Sequence, residues 1–188
     1  MRLFVAVEIA PAVAAAAATL IERLRDRASR LAPLSRITWM TADRLHVTVR
    51  FIGHVDADRA DAVSQALAQP LALDAFDLTV AGIGTFPRKG PPRVVWSAMA
   101  DGRELLLAIE QRVSERLARV GIVAEERPYN PHLTLARIRE AGGLRSAALL
   151  EAVAETVLGA TTVEAITLFE SRLSPKGPTY VPLQRTSL

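Results

Sequence analysis

The apolar positions of this chain follow two spacings. Leu105, Leu106, Ile109, Val113 and Leu117 mark one face of a helix over about 103–120, and Gly121 marks its stop. An Ala-rich amphipathic helix is expected over about 11–31, opened by Pro11, with shorter helices at about 58–69 and 147–157. Alternating or β-rich runs predict strands at 3–9, 45–51, 76–83, 93–98, 133–136, 163–172 and 179–186. Turn-rich stretches at 84–92, bearing Arg88 and Lys89, and at 174–178 separate strand pairs. Each half of the chain thus carries a long helix and several strands. The pattern predicts an α+β fold: residues 1–188 as a single domain of two similar lobes related by a rough two-fold.

Within that pattern one short sequence occurs twice. His46-Val47-Thr48-Val49 and His132-Leu133-Thr134-Leu135 are copies of His-x-Thr-x, 86 residues apart, in a chain with three histidines. Side chains two apart on a strand share a face, so each copy offers an imidazole and a hydroxyl on one side and apolar residues on the other. Neutral imidazole takes a proton near pH 7 and imidazolium gives one, so two histidines supply both halves of acid–base catalysis. Threonine hydroxyls add uncharged donors for phosphate oxygens. Displacement at phosphorus suits this set, with one histidine activating a nucleophile and the other protonating the leaving oxygen.

Composition narrows the alternatives. With no cysteine there is no disulfide, thiolate metal site or cysteine nucleophile, and a reducing, cytoplasmic setting is expected. The apolar stretch near the N-terminus is broken by Glu22, Arg23, Arg25, Asp26 and Arg27, so it is not a membrane span. Net charge is +3 and the only lysines are Lys89 and Lys176, an arginine-dominated balance that leans toward an anionic partner. Two imidazoles are too few for zinc or iron without a third ligand from elsewhere, so no metal or other cofactor is expected. Gly82-x-Gly84 lacks the following Gly-Lys-Ser/Thr of an ATP-binding loop.

The ordered set Arg2-Leu3-Phe4, Leu45 to Gly53, Arg93-Val94-Val95-Trp96 and Arg127-Pro128-Tyr129-x-Pro131 to Arg137 resembles the RNA 2',3'-cyclic phosphodiesterases of bacteria and archaea. These were first named 2'-5' RNA ligases and belong to the two-histidine (2H) phosphoesterases. The resemblance extends through Leu168 to Leu173 and Gly177-Pro178-x-Tyr180. It implies a bilobal fold in which two antiparallel sheets form a central cleft with helices outside. It implies metal-independent opening of an RNA terminal 2',3'-cyclic phosphate to a 2'-phosphate, and no obligate protein partner. His132 would activate water, His46 would protonate the departing 3' oxygen, and Thr48 and Thr134 would hold the non-bridging oxygens. The reverse step would make a 2'-5' linkage.

Other positions follow from geometry and resemblance together. Arg50 is in phase with His46 and Thr48, which places it on the cleft face near phosphate, while Phe51 is out of phase and reads as core. Arg137 matches a family arginine near the nucleobase, but strict alternation from His132 puts it on the opposite face, so a bulge or strand end after Ala136 is needed. Phe4 matches an aromatic position near the cleft, Tyr129 and Tyr180 read as packing, and His54 as a surface residue. The competing readings are a non-catalytic module that binds RNA ends and a 2H phosphodiesterase acting on another small cyclic or 2'-5' phosphodiester.

Overall fold

The structure, a computed structural model, describes all residues except Ala124 and Lys176; the latter, one of the two lysines, therefore lies outside the described residues. In chain order the elements are β1 (Arg2–Glu8), α1 (Pro11–Leu31), β2 (Arg36–Trp39), β3 (His46–His54), α2 (Ala57–Ala66), β4 (Phe76–Phe86) and β5 (Val94–Asp101). They continue as α3 (Arg103–Arg119), β6 (Leu133–Glu140), α4 (Ser146–Leu150), β7 (Val157–Val163), β8 (Ala165–Ser174) and β9 (Gly177–Ser187). A 3-10 turn at Ala42–Arg44 leads into β3.

Every strand pairing is antiparallel, in the order β7-β4-β5-β6-β3-β1-β8-β9, with β2 added to β6. The nine strands form one continuous sheet, in which two smaller sheets, β7-β4-β5-β6 and β3-β1-β8-β9, join at the pair Val47↔Leu133. The order is the same outward from that seam on both sides. First comes a strand with the His-x-Thr sequence, then the strand that leads into a long helix (β1 before α1, β5 before α3). The sheets do not follow the halves of the chain, since β8 and β9 return from the C-terminal end to lie beside β1.

The helices cross between the sheets. α1, which leads from β1 to β2, packs on β6, β7 and α4; α3, which connects β5 to β6, packs on β3 and α2. Leu3, Val5, Val7, Val47, Val49, Leu133 and Leu135 on the strands join Val13 and Leu24 of α1 and Leu106 and Ile109 of α3 in one apolar core. Burial of each such aliphatic side chain contributes on the order of 1.5–3 kcal/mol. The opposite face of the strands carries a separate small cluster of Phe4, Ala6 and Phe169 with Tyr180 against it. That face, away from the helices, forms the cleft.

Three elements differ from the expected pattern. The helix expected over 147–157 stops at Leu150, because Glu151 leaves helical geometry and Ala152 takes φ 64°. The β-branched Val157, Thr161, Thr162 and Val163 instead form β7 against β4. Arg36–Trp39 adds a short strand to β6, with Ile37 opposite Ile138 and Trp39 opposite Ala136. Of the stretch expected as a turn over 84–92, residues 84–86 continue β4, and the tip of the β4–β5 hairpin is 87–93, with Arg88 and Lys89 exposed.

Candidate active site

The pair at the seam joins the middle residues of the two His-x-Thr sequences, Val47 and Leu133. Continuing the antiparallel register one step each way puts His46 opposite Thr134 and Thr48 opposite His132. All four side chains project from the face opposite the buried Val47 and Leu133 and are half-buried. The imidazoles lie close enough that the His132 charge acts on His46.

Both rings are held alike. His46 Nδ1 is 2.9 Å from Arg44 O and His132 Nδ1 is 2.7 Å from Asn130 O, in each case the carbonyl two residues back. A carbonyl only accepts, so Nδ1 carries the proton in both rings and Nε2 is left as the acting nitrogen. His46 Nε2 is 3.1 Å from Thr48 Oγ1, whose hydroxyl therefore donates to it in the neutral state. Burial pushes His46 from 6.5 down to about 4, against the Arg44 carbonyl bond that raises it, with Arg137 and His132 adding to the fall. Burial likewise lowers His132, opposed by the Asn130 carbonyl and assisted by Arg137. Both rings are thus neutral in the free protein at pH 7.

A β-bulge in each motif strand decides which neighbours join them. Val5 pairs with Arg50 and Ala6 with Thr48, so Val49 has no partner on β1. Val49 and Arg50 both turn to the core, and Phe51 turns to the cleft. The expectation that Arg50 faces the phosphate is therefore corrected. Arg50 is 4% exposed on the reverse face, with Nη2 donating to Val123 O at 2.6 Å and Nη1 3.7 Å from Glu110. Phe51, read as core, is 47% exposed, its ring 6.2 Å from that of Phe4.

β6 repeats the irregularity. Val95 pairs with Ala136 and Trp96 with Thr134, so Leu135 is the extra residue. Leu135 and Ala136 are both buried, and Arg137 comes to the cleft face, where its charge lowers His46, His132 and Tyr180. A bulge brings Arg137 to this face as required, but it lies at Leu135 rather than after Ala136, and β6 does not end there; by position Arg137 is the counterpart of Phe51.

Phe4 is buried beside His46, with ring centroids 5.0 Å apart, and stacks on Phe169 at 5.3 Å. Tyr180 meets His46 edge-on at 5.1 Å, so it is part of the cleft wall. Its hydroxyl is raised by burial, against the pull of Arg137, Arg44 and Arg2. On the other sheet Phe86 stands edge-on to His132 at 5.5 Å and stacks on Trp96 at 4.8 Å. Sequence reasoning missed Phe86 and Trp96 as walls of the site. A signal was available in Gly84, which pairs with Trp96 and lies under its indole; a Cβ there would sit 2.4 Å from Trp96 Cζ2. His54 ends β3 at the surface, beside a broad hollow lined by Val55, Asp56 and Arg59. Among the described residues no group of three His, Cys, Asp or Glu is arranged to hold a metal ion, and no helix is long and apolar enough to cross a membrane.

A helix-backed pair of antiparallel sheets that meet at two His-x-Thr strands defines a 2H phosphoesterase-type fold. Residues 10–174 match the 2'-5' RNA ligase superfamily, and the chain belongs to that family. An RNA 2',3'-cyclic phosphodiesterase of Aeropyrum pernix is 34% identical over 142 residues, 75% of this chain and 80% of that protein. A protein of the same name from Archaeoglobus fulgidus is 27% identical over 98% of both chains. Among solved structures, a phosphoesterase superposes with a TM-score of 0.72 at 28% identity, covering 100% of this chain and 97% of that one. Escherichia coli LigT complexed with 3'-AMP superposes at 0.70 with 27% identity, again over 100% of this chain and 97% of that one.

Proposed function

We propose that this protein hydrolyses RNA terminal 2',3'-cyclic phosphate to 2'-phosphate without a metal, using His46 and His132 as an acid–base pair. The observation that carries this reading is the seam itself. Two imidazoles, each with Nδ1 tied to a carbonyl and Nε2 turned to the cleft, stand beside two threonine hydroxyls in crossed register. The names of the family relatives agree with it.

In the reaction His132 Nε2 takes a proton from water as the oxygen attacks phosphorus. The bond from phosphorus to the 3' oxygen breaks, and His46 Nε2–H gives its proton to that oxygen. The products are a 2'-phosphate and a 3'-hydroxyl, and a proton returned from His132 to His46 through solvent restores the starting state. The Thr48 and Thr134 hydroxyls donate to the non-bridging oxygens as charge builds there. Arg137 adds positive charge at one end of the cleft, and Phe4 backs the His46 ring. Burial disfavours the imidazolium that His46 needs, and the phosphodiester anion supplies the compensating charge when it enters. With a 5'-hydroxyl in place of water as the nucleophile, the same two proton transfers break the bond from phosphorus to the 3' oxygen and join a 2',3'-cyclic phosphate end to that hydroxyl in a 2'-5' linkage.

The test is hydrolysis of an oligoribonucleotide ending in 2',3'-cyclic phosphate, with EDTA present and His46→Ala and His132→Ala as controls. We expect conversion to 2'-phosphate by the native protein and a loss of at least about 10²–10⁴-fold in each variant. Tight binding without turnover would favour an RNA-end-binding module. Turnover only of another cyclic or 2'-5' phosphodiester would move the substrate within the same chemistry.

A further inference from the structure

Each histidine is set by the segment that precedes it, and each such segment is tied to the other motif strand at its bulge. Ahead of His46, the 3-10 turn provides the Arg44 carbonyl, and Met40 N donates to O of Leu135, the bulge residue of β6, at 2.9 Å. Ahead of His132, the described residues from Ile122 to Pro131 lie in neither helix nor strand, so no ladder fixes the Asn130 carbonyl. β3 ties this segment beside its own bulge instead. Arg50 Nη2 donates to Val123 O at 2.6 Å, and Phe51 N donates to Glu125 Oε1 at 3.3 Å.

The arginine is placed against its ordinary preference. A guanidinium at 4% exposure has lost its water, and its carboxylate partner among the described residues, Glu110, stands at 3.7 Å, longer than a good charge-assisted hydrogen bond. Its short bond is to a backbone carbonyl of the His132 approach. The counterpart of Arg50 on β6 is Ala136, where the backbone bond from Met40 already does the tying and no long side chain is required.

We propose that Arg50 is a positioning residue for His132: from the core face of β3 it holds the approach to the second motif at Val123, so that Asn130 presents its carbonyl to His132 Nδ1. The first motif strand thereby sets the second histidine. This rests on His132 acting as the base, but its central observable does not need turnover.

The experiment is ¹⁵N NMR of the histidine rings at pH 8, with kcat on the cyclic-phosphate substrate, for the native protein, Arg50→Met and Arg50→Lys. In the native protein both His46 and His132 should show the Nδ1–H tautomer. Arg50→Met should turn His132 into a tautomer mixture while His46 stays locked, with kcat falling about 10–100-fold and KM little changed. Arg50→Lys, which keeps the charge without the planar fork, should fall between the two. A merely structural arginine would lower the melting temperature and leave the His132 tautomer alone. Should Arg50→Met not fold, Arg50→Lys decides: an unchanged His132 tautomer or an unchanged kcat overturns the proposal. Failure of the native protein to hydrolyse the substrate would instead overturn the functional reading, with the tautomer result standing by itself.

Discussion

At the scale of single residues, the proposed chemistry rests on one backbone detail shared by both histidines. The carbonyl two positions back fixes the proton on Nδ1 and so, in the proposed reaction, commits Nε2 to the substrate. Burial then makes both rings reluctant to charge, with His46 pushed to about 4. The bell-shaped kcat/KM profile, which reports the free protein, should therefore centre below pH 6.5. The kcat profile should lie at higher pH, because the bound phosphodiester anion favours imidazolium. An optimum in kcat/KM above pH 7 would contradict this. The same shift enters stability. Between about pH 4 and 6.5 the unfolded chain binds a proton at His46 that the folded protein refuses, so the favourable contribution is complete above 6.5 and is lost as pH falls toward 4. Its size is on the order of 3 kcal/mol. Denaturant titrations of the native protein and His46→Gln across that window should show a shallower slope in the variant; parallel curves would contradict it. Thr48→Val removes the donor to Nε2 and should cost on the order of 2–4 kcal/mol in kcat/KM if the hydroxyl passes to the phosphate oxygen.

At the scale of elements, the strands that hold the site were legible and their irregularities were not. The two His-x-Thr strands and both long helices stand where apolar spacing put them, with α1 at Pro11–Leu31 and α3 at Arg103–Arg119. Strict alternation nevertheless misplaced Arg50 and Phe51, because a bulge changes phase without leaving a fixed residue signature. Val49-Arg50 contains a charge, and reading a charged residue as solvent- or ligand-facing is the sound default that this site overrides. On β6 the need for a bulge could be inferred, because Arg137 had to be reconciled with His132. The short strand β2 and the edge strand β7 were hidden for another reason: four residues carry too little periodicity, and β7 follows a helical run without a break. Gly84 allows a test at this level. The methyl of Gly84→Ala would enter the Trp96 ring space, so the indole must leave its stack on Phe86 or the hairpin must shift. Overpacking of this kind costs about 1–3 kcal/mol, and because Phe86 stands against His132, kcat/KM should fall too. A variant with native activity and, in a Trp39→Phe background, an unmoved Trp96 fluorescence spectrum would show that the close approach is slack.

At the scale of the whole molecule, the crossed helices decide how the two sheets behave. The seam contains one recorded strand pair, Val47↔Leu133, a thin connection if the sheets had to rely on it. They do not. α1 leaves the sheet of β1 and β3 to pack on β6 and β7, while α3 leaves the sheet of β5 and β6 to pack on β3. Loosening either sheet therefore exposes a helix face whose own strands lie in the other. Leu24 of α1 and Ile109 of α3 are fully buried in the same apolar cluster. Leu24→Ala and Ile109→Ala should each destabilise by about 2–5 kcal/mol, and each should move a single transition. Far-ultraviolet circular dichroism, which follows the helices, and Trp96 fluorescence read in a Trp39→Phe background, which follows the β4–β5 wall, should give coincident denaturant curves in both variants. Separate midpoints would mean that the sheets unfold independently and that the seam alone keeps the histidines together. Coincident midpoints would mean that the exchange of helices holds the two sheets, and with them the two halves of the proposed catalytic pair, in one cooperative unit.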